Sequence, residues 1–248
     1  MSHHNDIRAE HSPAAIRARI QADTKHSYIK DFIYGAIDGA VTTFAIVAAS
    51  AGAGLSSGII IVLGLANLLA DGFSMAASNY LGTKADQQLF EKTKAEEHRE
   101  IETHPEGEIE EIRQIFAAQG FEGENLEHVV EVITGDRELW VKTMMREEHG
   151  LEEGGPEAMP AAKATFVAFL VVGAVPLMPY FIGAFVDVPM QFIVSCAMTA
   201  FAFLMVGWVK GQIVGVDKLR SALETLAIGG SAAAVAYIVG VLLQGMAG

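Results

Sequence analysis

Long apolar stretches alternate with polar segments along the chain, and this pattern predicts membrane-spanning helices. Five stretches share the apolar character: residues 32–54, 58–82, 164–186, 188–209 and 225–248. Together they contain only two charged residues, Asp38 and Asp71. Each is long enough to cross a bilayer as a helix, which takes about 20 apolar residues, and a soluble helix rarely stays apolar on all faces over that length. The expected fold is therefore all-α, a polytopic membrane protein with five transmembrane helices.

A polar insertion separates the second stretch from the third. Residues 83–103 contain no Pro or Gly and are rich in Lys, Glu, Gln and Ala, so the second span is expected to continue as a helix beyond the membrane. Pro105 and Gly107 are expected to interrupt it. A turn is predicted at residues 123–125. Further helices are predicted at residues 108–119, 126–134 and 137–149.

The insertion also carries the net charge of the whole chain. The formal net charge is −13, and residues 84–157 hold 21 of the 30 acidic but only 8 of the 17 basic residues. The remaining acidic and basic residues balance. So many carboxylates repel one another unless a cation or a partner subunit lies among them. The acidic insertion is therefore predicted to bind cations or to contact a partner subunit.

Basic residues outside the insertion indicate the orientation in the membrane. They precede the first span, precede the third span, or lie between the fourth and fifth spans, whereas the loops on the other side contain none. Positive charges favour the cytoplasmic side. We therefore expect a cytoplasmic N-terminus, a cytoplasmic insertion and a C-terminus on the far side.

These patterns predict four parts of the chain: an N-terminal tail (1–29), two spans (30–82), a cytoplasmic helical metal-binding domain (83–160) and three spans (161–248). The tail lacks the apolar core of a signal peptide. It is expected to be disordered, with weak metal binding by His3, His4 and His11 as the alternative.

The two acids inside the spans are the first candidate functional residues. An ionised Asp near the bilayer centre costs roughly 2.5–3.5 kcal/mol. At about 1.5 Å of rise per residue, Asp38 and Met75 lie at a similar depth, about 9–10 Å from the cytoplasmic edge, on adjacent antiparallel spans. Asp71 and Asn79 precede and follow Met75 by one turn, on the same stripe of the second span. The predicted translocation pathway comprises Asp38, Asp71, Met75 and Asn79.

This donor set suits a divalent transition metal. Carboxylate and amide oxygens fit Fe²⁺ and Mn²⁺, and a thioether favours Fe²⁺ over Ca²⁺ or Mg²⁺. A carboxyl group shielded from water could hold a proton when no metal is bound. Metal transport would then be coupled to proton movement. The alternatives are an interhelical hydrogen bond for Asp38 or Asp71 and simple packing for Met75.

A second set of candidates lies in the insertion. Glu97 and Glu100 are three residues apart, and Glu108 and Glu111 repeat that spacing. Met144, Met145 and Glu148 lie within one turn of a later helix. Carboxylate clusters beside thioethers can hold several divalent ions, whereas any one glutamate alone is more typical of a solvated surface. We predict a metal site formed by these seven residues.

Other features carry less information. The chain has no nucleotide-binding loop, no H-E-x-x-H, no Ser/His/Asp arrangement and no E-x-x-H, which argues against an enzyme, a ferroxidase and a prosthetic group. Pro176 and Pro179 are expected to kink the third span. The pair Gly35 and Gly39 permits close helix contact, with dimerisation as one possible use.

Two strings in the first and second spans carry a resemblance to a known family. D-G-A-V-T-T-F-A begins at Asp38, and D-G-F-S-M-A-A-S-N-Y begins at Asp71. Together with the glutamate spacing they resemble the vacuolar iron transporter family, whose fungal members are vacuolar iron/manganese carriers. The resemblance covers nearly the whole chain after residue 27.

The resemblance implies a homodimer of five-span subunits that moves Fe²⁺ out of the cytosol in exchange for protons. It implies a pathway through Asp38 and Met75. It also implies cytoplasmic metal capture by the residues that match the family's motif: Glu97, Glu100, Glu108, Glu111, Glu148, Met144 and Met145. Many members carry an acid where this chain has Asn79, which puts proton stoichiometry and metal preference in question.

The sequence therefore leads to the hypothesis of a dimeric, proton-coupled exporter of Fe²⁺, with Mn²⁺, Zn²⁺ and Co²⁺ as further divalent metals. Its partners would be metal ions, protons and lipid, with no nucleic acid. The residues leave open whether the membrane is a bacterial plasma membrane or a vacuolar-type membrane. The alternative is a membrane-anchored metal buffer or sensor without transport.

Overall fold

Every regular element is helical in the computed structural model, which describes residues 11–21, 26–186, 188 and 190–246. The α-helices are Pro13–Gln21 (α1), Ile29–Gly52 (α2), Ser57–Thr103 (α3), Pro105–Ala118 (α4), Gly123–Thr134 (α5), Arg137–Glu147 (α6), Ala158–Gly173 (α7), Met178–Gly183 (α8), Gln191–Val214 (α9) and Lys218–Leu243 (α10). One 3₁₀ turn, Val175–Leu177, joins α7 to α8, and another, Gln244–Met246, follows α10.

Five helical segments are long and apolar enough to cross a membrane. Four of them are the single helices α2, α3, α9 and α10, and the remaining one consists of α7 and α8 together. The expectation of an all-helical protein with five such segments is confirmed. Their ends differ from the apolar stretches because helices continue into polar flanks. The fifth begins at Lys218, where the Asp217 side chain caps the helix by accepting a hydrogen bond from the backbone N–H of Arg220 at 2.7 Å.

The tail contains a helix that was not expected. Residues 13–21 form α1, so the described part of the tail has regular structure, with Pro13 at the first helical position, where its missing N–H is not needed. The histidines His3 and His4 lie outside the described residues.

The third apolar segment is interrupted at its prolines, as predicted. The 3₁₀ turn contains Pro176, and Pro179 lies in the first turn of α8. Because proline lacks a backbone N–H, it cannot continue the α-helical hydrogen-bond ladder. The carbonyl oxygen of Pro176 instead accepts a hydrogen bond from the buried Ser195 hydroxyl on α9 at 2.7 Å.

Helix α2 lies at the centre of the bundle, in contact with α3, α7, α9 and α10. Its closest neighbour is α7, because small residues bring the two backbones together. A Cβ atom at Gly35 would collide with the carbonyl oxygen of Thr165, and one at Gly39 would lie 2.5 Å from the carbonyl oxygen of Phe169. The Gly35–Gly39 pair therefore packs within the subunit, which contradicts its use for dimerisation.

We expect Gly39→Ala to destabilise the protein by roughly 1–3 kcal/mol or more. The added Cβ would meet backbone atoms of Phe169, which cannot rotate away. The measurement is the midpoint of thermal unfolding in detergent. The matched control is Gly82→Ala in α3, where nothing lies within 4 Å of the added atom, so alanine should stabilise the helix slightly. A stable Gly39→Ala subunit that only lost self-association would restore the dimerisation hypothesis.

The insertion is a small helical unit built on the end of α3. Helices α4, α5 and α6 and the polar half of α3, from Phe90 onward, surround one apolar cluster. Its buried members are Ile101, Ile112, Val130, Ile133, Trp140, Val141, Met144 and Met145. This core gives α3, α4 and the end of α6 fixed relative positions, and the predicted glutamates lie on these elements.

Two boundaries in the insertion differ from the prediction. Pro105 begins α4, so that Gly107 lies inside this helix. Proline has the φ angle of a helix and is well placed at a first helical position, which is why the interruption is a single residue, His104. The turn expected at residues 123–125 is the first turn of α5, which begins at Gly123 with φ of +58°.

Candidate metal-binding sites

The predicted pathway residues lie on two adjacent helices. Asp38 is on α2, and Asp71, Met75 and Asn79 follow one stripe of α3; all four side chains are partly buried. Asp38 and Asp71 are close enough to interact electrostatically. These two carboxylates therefore lie near each other, one on each of the first two spans, and are called the carboxylate pair below.

Neither carboxylate of this pair accepts a hydrogen bond from the residues that the structure describes. Near Asp38, the Thr42 hydroxyl donates to the backbone carbonyl oxygen of Asp38 at 2.9 Å, not to its carboxylate. The alternative that Asp38 or Asp71 forms an interhelical hydrogen bond is therefore contradicted within the described chain. Two acids without donors inside apolar helices can be stabilised by a cation or by protonation.

Asn79 has a different environment, in which it connects three helices. Its Nδ2 donates to Asp31 Oδ1 on α2 at 2.9 Å and to Thr165 Oγ1 on α7 at 2.7 Å. Its Oδ1 accepts from the Thr83 hydroxyl at 3.4 Å. The amide is therefore held by hydrogen bonds at the end of the polar stripe, and Asp31 is a carboxylate at the same level.

The five predicted glutamates converge in the insertion. Glu97 and Glu100 lie on α3, Glu108 and Glu111 lie in the first turns of α4, and Glu148 follows α6. Glu97 is only 2% exposed and Glu108 only 5%. Each lies one helical turn before a buried apolar residue, Ile101 and Ile112 respectively, so the stripe that packs into the core also carries these two carboxylates inward.

One oxygen of each buried glutamate has no partner. The Oε2 atoms of Glu97 and Glu108 are buried and make no hydrogen bond with the described residues. Glu97 Oε1 lies 2.7 Å from Nε2 of His149. Since buried polar atoms nearly always have a partner, the two free oxygens indicate a place for a cation or a proton.

The pKa shifts show that these carboxylates act on one another. Burial, followed by the charges of Glu111, Glu97, Glu100 and Glu148, raises the pKa of Glu108 to about 7. Burial also raises the pKa of Glu111, with Glu148, Glu97 and Glu100 adding to the effect. For Glu97, burial raises the pKa although the hydrogen bond with His149 opposes it. All five glutamates therefore belong to one electrostatic cluster.

Comparison with known proteins gives matches over most of the chain. A profile of the VIT family matches residues 29–241, which include all five apolar segments except the end of α10, and the whole insertion. The vacuolar iron transporter of Toxoplasma gondii is 35% identical over 230 residues, covering 90% of this chain and 76% of the relative. Vacuolar iron transporter 1 of Arabidopsis thaliana is 33% identical over 223 residues, covering 89% and 88%.

The chain belongs to the VIT family. The resemblance noted in the first two spans is thereby confirmed.

The two predicted methionine ligands of this VIT family member lie in the apolar core of the insertion. Met144 is 0% exposed and Met145 is 3% exposed, and both belong to the cluster around Ile112 and Trp140. Met145 also borders a cavity of about 420 Å³ that none of the five glutamates lines. The side chains are thus placed by core packing, and their role as metal ligands stays a prediction.

One residue of the cluster was missed by the sequence analysis. His149 contacts Glu97, which is far away in the sequence, and no ligand spacing connects the two. Burial lowers the pKa of His149, but the hydrogen bond with Glu97 and the charges of Glu148, Glu97 and Glu100 outweigh it and raise the pKa. The only signal in the sequence was its position directly after Glu148.

We expect the stability of the metal-free insertion to fall as the pH rises. The folded-state pKa of Glu108, about 7, exceeds its ordinary value of 4.5, so the folded state binds this proton more tightly. Ionising Glu108 in the folded state therefore lowers the free energy of unfolding. This loss of stability is absent below pH 4.5, grows between 4.5 and about 7, and is complete above that. Glu108→Gln should therefore stabilise the insertion at pH 8, by on the order of 1–3 kcal/mol, and change little at pH 4.5.

The measurement is thermal unfolding with chelator present, followed by the fluorescence of Trp140, which lies in the insertion core. The chain has two tryptophans, so all three proteins, the background protein and the two Gln variants, carry Trp208→Phe. The matched control is Glu106→Gln, because Glu106 is exposed in the same first turn of α4. An equal effect of Glu108→Gln at both pH values would contradict the expectation.

Proposed function

We propose that this VIT family member exports Fe²⁺ from the cytosol in exchange for protons, and that it also carries Mn²⁺. One observation carries the proposal. A single continuous helix, α3, bears Asp71 and Met75 in its apolar half and Glu97 and Glu100 in its polar half. The two candidate metal sites therefore share one helix, with about 33 Å of helix between Met75 and Glu97 at about 1.5 Å per residue.

The donor atoms and the relatives support the choice of metal. Carboxylate oxygens with a nearby thioether suit Fe²⁺. They also suit Mn²⁺, which is a harder ion and depends more on the oxygens. The two relatives described above are named vacuolar iron transporters. Zn²⁺ and Co²⁺ are further ions that the glutamate cluster would bind.

Charge along the chain supports the direction of transport. Basic residues outside the insertion lie on one side of the five spans, and that side is cytoplasmic by the positive-inside rule. The N-terminus and the acidic insertion then face the cytosol, and the C-terminus faces the other compartment. Metal would be captured from the cytosol by the glutamate cluster and would pass next to Asp38 and Met75.

Proton exchange follows from the need to neutralise the carboxylates in turn. Asp38 and Asp71 have no hydrogen-bond donor among the described residues, and an ionised pair inside the membrane is costly. Each would hold a proton when metal leaves, and would release it when metal arrives. Movement of metal in one direction thereby requires movement of protons in the other.

A homodimer is part of the proposal. The pathway residues on α3 are only partly buried within one subunit. A second subunit placed against this stripe would enclose the pathway. A metal buffer or sensor is less well supported, because it would need the insertion but would leave Asp38 and Asp71 without a role.

The test is metal flux into or out of liposomes that contain the purified protein, with a trapped fluorescent chelator and an imposed pH gradient. We expect Fe²⁺ and Mn²⁺ flux that depends on the gradient, together with proton movement in the opposite direction. Flux that ignores the pH gradient would contradict proton coupling. Metal binding without flux under either gradient would favour the buffer or sensor.

A further inference from the structure

Among the described residues, His149 is the one nitrogen-bearing side chain that forms a hydrogen bond or ion pair with the glutamate cluster. Its Nε2 lies 2.7 Å from Glu97 Oε1 and 3.8 Å from Glu148 Oε2. One potential ligand atom from each of Glu97, Glu148 and His149 lies within 4.8 Å of the others. The three side chains come from two different parts of the insertion, the extension of α3 and the end of α6.

The surroundings of this group indicate a cation. Glu97 Oε2 and Glu108 Oε2 are buried without a partner in the described chain, on side chains that are 2% and 5% exposed. Glu108 interacts electrostatically with both Glu97 and Glu148, so its charge adds to the cost of leaving this group without a cation. Buried, unpaired carboxylate oxygens carry a large desolvation cost that a divalent ion would offset.

A plain ion pair between His149 and Glu97 explains less of the structure. It would satisfy a single oxygen of Glu97 and leave both Oε2 atoms unpaired. The His149 side chain is 31% exposed, so an ion would have access to the imidazole from solvent. A divalent ion held by Glu97, Glu148 and His149 would balance the charges of these two carboxylates.

We propose that His149 is a metal ligand, and that its Nε2 completes a mixed nitrogen–oxygen site with Glu97 and Glu148. The spacing suits this role, because two ligand atoms about 2.1 Å from one ion and at a right angle lie about 3 Å apart. The inference rests on the proposed capture of metal by the insertion. It adds a specific consequence: imidazole suits Fe²⁺, Zn²⁺ and Co²⁺, whereas Mg²⁺ and Ca²⁺ prefer oxygen, so His149 selects transition metals over Mg²⁺.

The experiment uses Mn²⁺ as the probe, with the purified full-length protein. Pulsed electron paramagnetic resonance detects ¹⁴N nuclei coupled to bound Mn²⁺. We expect a ¹⁴N signal in the unmodified protein and its loss in His149→Gln, while Mn²⁺ still binds through the carboxylates with about tenfold lower affinity, which is about 1.4 kcal/mol. Competition with Mg²⁺ should become more effective in the same variant.

The matched control is His98→Gln. His98 follows Glu97 directly in the sequence, but its imidazole acts electrostatically on Glu102 and it is not part of the Glu97, Glu148 and His149 group, so the ¹⁴N signal should persist. Equal elution from a size-exclusion column shows that both variants are folded.

Two results would overturn the inference in different ways. Bound Mn²⁺ without a ¹⁴N signal, or with a signal that persists in His149→Gln, would remove His149 from the site and leave the proposed function standing. Absence of Mn²⁺ binding would contradict metal capture by the insertion and this inference together.

Discussion

Asp38→Ala is expected to reduce metal flux to the level of empty liposomes while the protein still folds and still binds metal through its insertion. Asp38 and Asp71 form a carboxylate pair between α2 and α3. In the proposed mechanism, loss of one member would remove both a ligand for the ion and a site for the exchanged proton. Asp38→Asn, which keeps the shape but not the charge, should fail in the same way.

Stability should not fall along with flux. An ionised Asp inside a span costs roughly 2.5–3.5 kcal/mol, and no described residue donates a hydrogen bond to the Asp38 carboxylate. Removing it therefore removes a penalty rather than a favourable contact. We expect the unfolding midpoint of Asp38→Ala in detergent to equal or exceed that of the unmodified protein.

The matched control for this variant is Thr42→Val, one turn further along α2. The Thr42 hydroxyl bonds only to the backbone carbonyl oxygen of Asp38 in its own helix, so valine should leave flux nearly unchanged. Normal flux in Asp38→Ala would exclude Asp38 from the pathway. A variant that fails to fold would instead point to a structural role for the carboxylate.

Simultaneous replacement of Glu97, Glu100, Glu108 and Glu111 by Gln is expected to weaken metal capture without closing the pathway. The four side chains supply most of the carboxylates in the cluster, and two of them provide the buried, unpaired oxygens. Metal affinity of the insertion should fall by at least tenfold, or about 1.4 kcal/mol. Flux should fall at low metal concentration and recover at saturating concentration, because Asp38 and Met75 are unchanged.

A control of equal charge separates ligation from general attraction. Glu106, Glu122, Glu124 and Glu131 are exposed on the same insertion, and changing all four to Gln alters the net charge by the same amount. Calorimetric titration should show nearly unchanged metal affinity in this control. Equal losses in the two quadruple variants would mean that the insertion attracts cations only through its overall charge. Unchanged affinity in the first variant would contradict metal binding by the cluster.

The helical content was accessible from the sequence because it depends on local properties. Apolar stretches longer than the bilayer requires predict spans, and the absence of Pro and Gly from residues 83–103 correctly predicted that α3 continues past its apolar half. The start of α4 was predicted too late, because a proline can follow the end of one helix or begin the next. Only the geometry of the chain around His104 distinguishes the two cases.

The candidate metal-binding sites could be predicted from the sequence only in part. Spacing on one helix identified Glu97 with Glu100 and Glu108 with Glu111, because residues three apart share a helix face. It did not identify which of them are buried. Their exposure depends on how α4 packs against α3, and the contact of Glu97 with His149 depends on where the chain after α6 returns.

By itself, the sequence of this VIT family member determined the five apolar helices, the long α3, the acidic insertion and the identity of the candidate donor atoms. These properties follow from hydropathy, helix propensity and residue chemistry, which act over a few turns of chain. The tertiary structure alone decided that Gly35 and Gly39 face α7, that Asn79 bonds to Asp31 and Thr165, and that His149 joins the glutamate cluster. Each of these contacts joins residues distant in sequence, and their positions are set by the packing of whole helices.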